Sequence, residues 1–204
     1  MRRMHDLKSP VLLFPHARLR KSDVPSLSGW RWYFWLVLLV CCSVAFSLSF
    51  ACATPFATFS AIGALTLSRR DSAVLTAGVW FANQVVGFTM LKYPWTVSCV
   101  AWGIALGLAA MLATFAARWV TDALVGKAWI ARYAAALLAA FAVFEVILFL
   151  VGLLILGGME GFSLAIVSRI FAINGGAFLA ISILNWCTRG LGLSPARVSQ
   201  PLIT

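Results

Sequence analysis

Six apolar stretches, separated by short polar breaks, run through the sequence. They cover residues 30–51, 53–67, 72–91, 95–117, 129–156 and 168–186. An α-helix needs about 20 residues to cross roughly 30 Å of hydrocarbon. Most of the stretches have this length, and only the second is short. The pattern therefore predicts an all-α membrane protein, folded as a compact bundle of six transmembrane helices.

The basic residues between these stretches fall almost entirely on alternate breaks. Fourteen of the sixteen Lys and Arg residues lie around the start of the first stretch, in the second and fourth breaks, and after the last stretch, whereas Lys92 and Arg169 do not. Cytoplasmic loops retain Lys and Arg, and translocated loops are poor in them. Both termini are therefore expected in the cytoplasm, with a basic arm at residues 1–29, the membrane domain at 30–187 and a tail at 188–204.

The composition agrees with a membrane environment. Hydrophobic residues make up 62% of the chain and charged residues 11%, which would cover a soluble protein of 204 residues with exposed apolar surface. The formal charge of +10 follows from basic loops that meet anionic lipid headgroups. No basic stripe with interleaved aromatic residues occurs after residue 29, so nucleic acid is not an expected partner.

The sequence carries no motif for catalysis or metal binding. Both histidines, His5 and His16, lie in the amino-terminal arm, and the five cysteines form no close-spaced pair with histidine or a second dithiol. Paired carboxylates, a nucleophile motif and a phosphate loop are also missing from the sequence. We therefore expect no enzyme activity, no catalytic residue, no metal and no resident cofactor.

Pro55 makes the second stretch irregular, because proline interrupts helical hydrogen bonding close to where the chain turns at the outer face. Irregular backbone at membrane depth is tolerated where protein or a water-filled cavity covers it. A cavity near the outer end of this stretch and a simple proline hairpin both fit the pattern. After the stretch, Ser68 or Asp71 is expected to cap the third helix.

A few polar side chains lie inside the stretches, where each is costly in hydrocarbon and usually faces the bundle interior. Glu145 is the only acid deep in any stretch. A carboxylate beside tryptophan and amide groups suits a cationic or heteroaromatic ligand, through charge pairing and cation–π attraction. The alternatives are that Glu145 pairs with Arg169, stays protonated as a structural hydrogen-bonding group, or relays protons. The predicted solute-binding residues are Glu145, Asn83, Gln84, Asn174 and Trp80.

Small residues recur at every fourth position along several stretches, which allows helices to approach closely in a bilayer. The rows in the fourth and fifth stretches are Ala105, Ala109, Ala113 and Ala117, and Ala131, Ala135 and Ala139. Such rows either pack within the bundle or face a partner protein. The residues predicted to dock a partner are Ala45, Ser49, Ala53, Gly103 and Gly107.

The layout resembles the substrate-binding S components of bacterial energy-coupling factor (ECF) transporters. The resemblance covers residues 30–187 and is carried by the chain size, the six-span layout, the short second stretch at 55–65 followed by Arg69, Arg70 and Asp71, and the row Ala45, Ser49 and Ala53. It implies a protein of the bacterial inner membrane that captures a vitamin or vitamin precursor from the periplasmic side. It also implies docking to a transmembrane T subunit, with two ATPase subunits that supply the energy.

Two other function classes remain open. One is a structural or assembly subunit, in which the helices pack against a larger membrane complex and the polar residues only secure helix contacts. The other is a secondary transporter that works alone, although stretches one to three do not visibly repeat in four to six.

Overall fold

The structure, a computed structural model, describes residues 30–50 and 54–190. Within these ranges the chain is helical and contains no β-strand, so the all-α prediction is confirmed. The predicted arm at residues 1–29, most of the predicted tail and Ala53 lie outside the described residues. The α-helices of the described chain are α1 (Trp30–Phe50), α2 (Phe56–Thr66), α3 (Arg69–Thr89), α4 (Val97–Ala123), α5 (Trp129–Val151) and α6 (Leu164–Gly190).

Four of these helices, α1, α4, α5 and α6, are long and apolar enough to cross a membrane. The short helix α2 has 11 residues, which is about 16 Å of helix and too little for a full crossing. Helix α3 has 21 residues but carries two arginines, an aspartate and two amides, which lower its mean hydropathy. The described chain therefore contains four candidate spans, and the crossing of the membrane by α2 and α3 stays a prediction.

Several helix ends differ from the predicted boundaries. Helix α4 continues to Ala123, and α6 begins at Leu164 and continues to Gly190. The apolar pattern marks the hydrocarbon, whereas helical hydrogen bonding continues into the polar interface, since a 27-residue helix spans about 40 Å. Between α5 and α6 lie a π-helix (Gly152–Leu156) and a 3-10 helix (Met159–Phe162), joined by two glycines with positive φ angles.

Helix α2 forms the centre of the fold. Residues 56–64 are all buried, and the helix contacts α3, α4, α5 and α6. A helix that is hydrophobic on all sides is stable only when other helices surround it. The core is therefore built around a helix of about half the bilayer thickness.

Arg118 of α4 caps the carboxyl-terminal end of α2. Its guanidinium donates hydrogen bonds to the backbone carbonyl oxygens of Gly63, at 3.4 Å, and Leu67. The last carbonyl groups of a helix have no partner within the helix and carry partial negative charge, so a cation from another helix stabilises them. Nearby, Arg69 of α3 forms an ion pair of 2.9 Å with Asp122 of α4.

Ser68, one of the two candidates that the sequence predicts, is the amino-terminal cap of α3. Its hydroxyl oxygen accepts a hydrogen bond from the backbone N–H of Asp71 at 3.2 Å, and the hydroxyl also donates to the Asp71 carboxylate at 2.7 Å. These bonds satisfy an N–H group that has no partner within the helix. Ser68 therefore marks the residue at which the turn ends and α3 begins.

Helices α4 and α5 form the most extensive helix contact of the described chain, and both carry rows of buried alanines. The predicted α4 row from Ala105 to Ala117 is buried. In α5 the fully buried alanines are Ala136 and Ala140, one position later than the predicted row. The spacing of four was correct, but consecutive alanines at 134–136 and 139–140 leave the facing side undetermined in the sequence.

Candidate functional site

The amino-terminal end of α2 lies inside the bundle and is capped by Asn174 of α6. The Asn174 side-chain oxygen accepts from the backbone N–H of Thr58 at 3.1 Å, and the Thr58 hydroxyl donates to the Asn174 backbone carbonyl at 2.6 Å. Pro55 occupies the capping position of α2 and makes no side-chain hydrogen bond there. A buried helix end needs partners for its first N–H groups, and here a different helix supplies one.

Asn83 of α3 holds the chain just before α2. Its amide donates to the hydroxyl oxygens of Thr54 and, at 3.1 Å, Ser47 of α1, and these two hydroxyls lie 2.8 Å apart. All three side chains are buried. Polar groups at membrane depth must bond to one another, so this contact ties α1, α3 and the start of α2 together.

Trp80 and Gln84 face α4. The indole N–H of Trp80 donates to the backbone carbonyl of Gly103 at 2.7 Å. A Cβ atom added to Gly107 would lie 2.7 Å from the Trp80 indole nitrogen, and one added to Gly103 would lie 2.5 Å from the Gln84 side-chain oxygen. The two predicted docking glycines are therefore covered by α3 of the same chain.

Glu145 lies half-buried on α5, and its carboxyl group has no hydrogen-bond or ion-pair partner among residues 30–50 and 54–190. Arg169, the partner considered from the sequence, is exposed on α6 and forms no ion pair with Glu145. The neighbouring Phe144 is buried and stacks on Phe56, the first residue of α2, with ring centroids 5.7 Å apart. Glu145 thus follows, along α5, the residue that contacts the start of α2.

Aromatic contacts lie one helical turn to either side of Glu145. Phe141 packs edge-on against Phe171 of α6, with centroids 5.0 Å apart, and Phe149 packs edge-on against Phe162 at 5.5 Å. Residues four apart lie on the same side of a helix, so Glu145 lies on the side of α5 that carries Phe141 and Phe149. The residues one turn before and one turn after Glu145 on α5 are therefore both aromatic.

All five predicted solute-binding residues lie at about the same depth along the bundle. Asn83, Phe144 and Asn174 contact the chain within the five-residue segment 54–58, around the start of α2. Ser60 of α2 bonds to the Ala110 carbonyl of α4, so these two residues lie at the same depth. Thr54 precedes Ser60 by six residues and Gly103 precedes Ala110 by seven, which places both about 10 Å from that depth. Helices α2 and α4 run in the same direction, because Arg118 of α4 contacts the end of α2, so Thr54 and Gly103 lie at a similar depth. We call the set Glu145, Asn83, Gln84, Asn174 and Trp80 the polar layer.

The polar layer surrounds the start of α2 on three sides without meeting at one point. Asn83, Gln84 and Trp80 occupy the side of α3 and α4, Asn174 the side of α6, and Glu145 the side of α5. Helices α3, α4 and α5 each continue six residues, about 9 Å, beyond the layer, and α6 extends ten residues, about 15 Å. These four helices extend past the start of α2.

The predicted docking row on α1 faces away from the bundle. Ala45 and Ser49 are exposed, whereas Ser43 and Ser47 on the same helix are buried. Ala53, the third member of the row, lies outside the described residues. A docking role for Ala45 and Ser49 stays a prediction.

The hydroxyl groups that bond to the layer, those of Ser47, Thr54 and Thr58, were missed in the sequence. Thr54 and Thr58 stand four residues apart around Pro55, a spacing that places hydroxyls at the uncapped start of a helix. That spacing was the available signal.

Comparison of the chain with protein-family models, with curated proteins and with solved structures finds no match.

Proposed function

We propose that the chain is a multi-pass protein of the bacterial inner membrane, with six membrane-embedded helices and both termini in the cytoplasm. In this proposal it is the binding subunit for uptake of a small micronutrient, a vitamin or vitamin precursor. The solute reaches the polar layer from the periplasmic side, between α3, α4, α5 and α6. A transmembrane T subunit and ATPase subunits are the partners that energise transport.

The observation that carries the proposal is the unpartnered carboxyl group of Glu145. Asn83 donates to hydroxyls beside the start of α2, and Asn174 accepts from Thr58 and donates to the Ile170 carbonyl of α6. Glu145, by contrast, has no partner in the described chain. A carboxyl group in apolar surroundings is costly unless something pairs with it. A cationic or heteroaromatic solute supplies that pairing, and the flanking phenyl rings add cation–π attraction.

The short length of α2 supports access from the periplasm. The layer lies about 9–15 Å inside the ends of the four surrounding helices, so a solute reaches it without crossing the whole bilayer. The opposite end of α2 is capped by Arg118 and lies near the ion pair of Arg69 with Asp122. Because cytoplasmic surfaces retain arginine, this end is assigned to the cytoplasm.

The alternative is a non-catalytic structural or assembly subunit of a larger membrane complex. The hydrogen bonds of Asn83, Asn174 and Trp80 favour it, because each secures a contact between helices of the same chain. Docking of a partner on Ala45 and Ser49 belongs to both proposals. The two differ in whether a solute occupies the layer.

Native mass spectrometry of the protein purified gently from its own membranes tests the proposal. We expect the wild-type chain to carry a bound small molecule, and Glu145→Gln to lower its occupancy at least about tenfold, the effect of losing one charged hydrogen bond. Glu160→Gln is the matched control, because Glu160 is an exposed acid in the connection before α6.

Full retention of the small molecule by Glu145→Gln contradicts the role of this residue. A wild-type chain that carries stoichiometric larger subunits but no small molecule contradicts solute binding and supports the structural alternative.

A further inference from the structure

A groove of about 290 Å³ runs between α1 and α3. Its walls are Tyr33, Val37, Val40 and Cys41 of α1, and Val74 and Gly78 of α3, together with two leucines. The lining is almost entirely apolar. Val37 and Val74 are 60% and 45% exposed, so the groove is open to the surroundings of the bundle.

The two helices run parallel, which defines the position of the groove along them. A Cβ atom on Gly78 would lie 3.6 Å from Val40, and further along both helices Asn83 bonds to Ser47. Eight residues before Gly78, Arg70 is therefore level with the aromatic start of α1. Positions 70, 74 and 78 share one face of α3, so the groove leads over about 12 Å to an arginine.

Arg70 differs from the arginine beside it. Arg69 is paired with Asp122, whereas Arg70 is exposed and has no ion pair within the residues that the structure describes. Tyr33 is 65% exposed at the same level of α1. Tyrosine and arginine at the end of an apolar surface are typical of the boundary between hydrocarbon and lipid headgroups.

We propose that this groove binds one anionic phospholipid. An acyl chain lies along Val37, Val74 and Gly78, and the headgroup phosphate accepts hydrogen bonds from Arg70. The length of about 12 Å fits one leaflet, which is half of the roughly 30 Å hydrocarbon core. Guanidinium groups bind phosphate in a two-pronged geometry, and basic residues near the cytoplasmic surface attract anionic lipids. The site rests on the proposed membrane embedding but not on the solute.

The test uses the full chain reconstituted in bilayers that contain phosphatidylcholine and phosphatidylglycerol, with retained lipids counted by native mass spectrometry after return to detergent. We expect one phosphatidylglycerol to be retained in preference to phosphatidylcholine. Arg70→Gln should lower that preference about fivefold, the effect of one basic residue at a membrane surface. Lys127→Gln is the control, because Lys127 is an exposed basic residue near the cytoplasmic end of α4.

Gly78→Leu tests the chain-binding part, because the new side chain fills the groove. It should abolish preferential retention, whereas Gly176→Leu should not, since a Cβ on Gly176 meets no atom within 4 Å. If Gly78→Leu fails to accumulate, Val74→Phe fills the same groove from an exposed position. Unchanged retention in the groove variants, or equal effects of Arg70→Gln and Lys127→Gln, overturns the proposal. Solute occupancy in the same spectra separates this failure from failure of the solute site.

Discussion

At the residue scale, Gly103 and Gly107 occupy similar positions on α4 but differ in how well they tolerate a larger side chain. Both glycines lie under side chains of α3, but Gly103 lies under the flexible end of Gln84 and Gly107 under the rigid indole of Trp80. That indole also donates to the Gly103 carbonyl. An added methyl group can displace the end of a glutamine side chain at a small cost in free energy. It can displace an indole only by breaking the hydrogen bond and the packing of that ring.

We therefore expect Gly107→Ala to destabilise the protein by about 1–3 kcal/mol and Gly103→Ala by less than about 1 kcal/mol. The measurement is the midpoint of unfolding by sodium dodecyl sulfate in mixed micelles. Gly176→Ala is the control, because its added Cβ meets no neighbouring atom. Equal losses at positions 103 and 107 would contradict the contact with Trp80 as the cause.

The residue types of the polar layer were visible in the sequence, but their partners were not. Asn174 bonds to Thr58 across 116 positions of the chain, and Asn83 bonds to Thr54 across 29. The cost of a polar group in hydrocarbon predicts that each amide has a partner. Which hydroxyl or backbone group serves depends on helix packing, which composition does not specify.

At the element scale, α2 is stabilised by side chains that other helices supply at both of its ends. Asn174 caps its start and Arg118 its end, while Pro55 contributes no side-chain cap. A helix of 11 residues is marginal by itself, so its stability comes from these contacts and from the burial of residues 56–64. The two caps also set where α2 stops along the bundle.

Arg118→Leu should destabilise the protein by about 1–3 kcal/mol, because the carbonyl groups at the end of α2 lose a charged donor. Arg118→Lys should lose about half as much, since lysine keeps the positive charge but not the length and donor directions of the guanidinium group. The free energy of unfolding in mixed micelles measures both changes. Lys127→Leu, at an exposed position, is the matched control. Equal losses in the two Arg118 variants would show that charge plays no part in the cap.

At the scale of the whole molecule, the topology depends on helices that do not resemble standard spans. Among the helices that the structure describes, only α1, α4, α5 and α6 are apolar and long enough by themselves, and α2 is embedded among α3, α4, α5 and α6. In the proposed topology, Lys92 lies before α4 on the periplasmic side and Lys127 after it in the cytoplasm. Both are exposed.

Labelling of single cysteines tests this arrangement. In a variant without the native cysteines, we expect Lys92→Cys to react with a membrane-impermeant maleimide in intact cells with a permeabilised outer membrane. Lys127→Cys should react only after the inner membrane is opened. Labelling of both positions from one side would contradict a crossing by α4, and the reverse pattern would contradict the proposed orientation.

The sequence by itself determined the helical class, the six α-helices of residues 30–50 and 54–190, the short second helix, a cap at Ser68 or Asp71 and the residue types of the polar layer. These follow from local properties, because apolar periodicity, proline and capping residues act within a few positions of the chain. The tertiary structure alone decided that α2 is central and that Ala136 and Ala140 face the core. It also decided that Asn83 and Asn174 are bonded whereas Glu145 has no partner among the described residues. The physical reason is that these outcomes depend on which helix faces meet, and in a chain rich in interchangeable apolar and small residues, only the packed bundle selects among those faces.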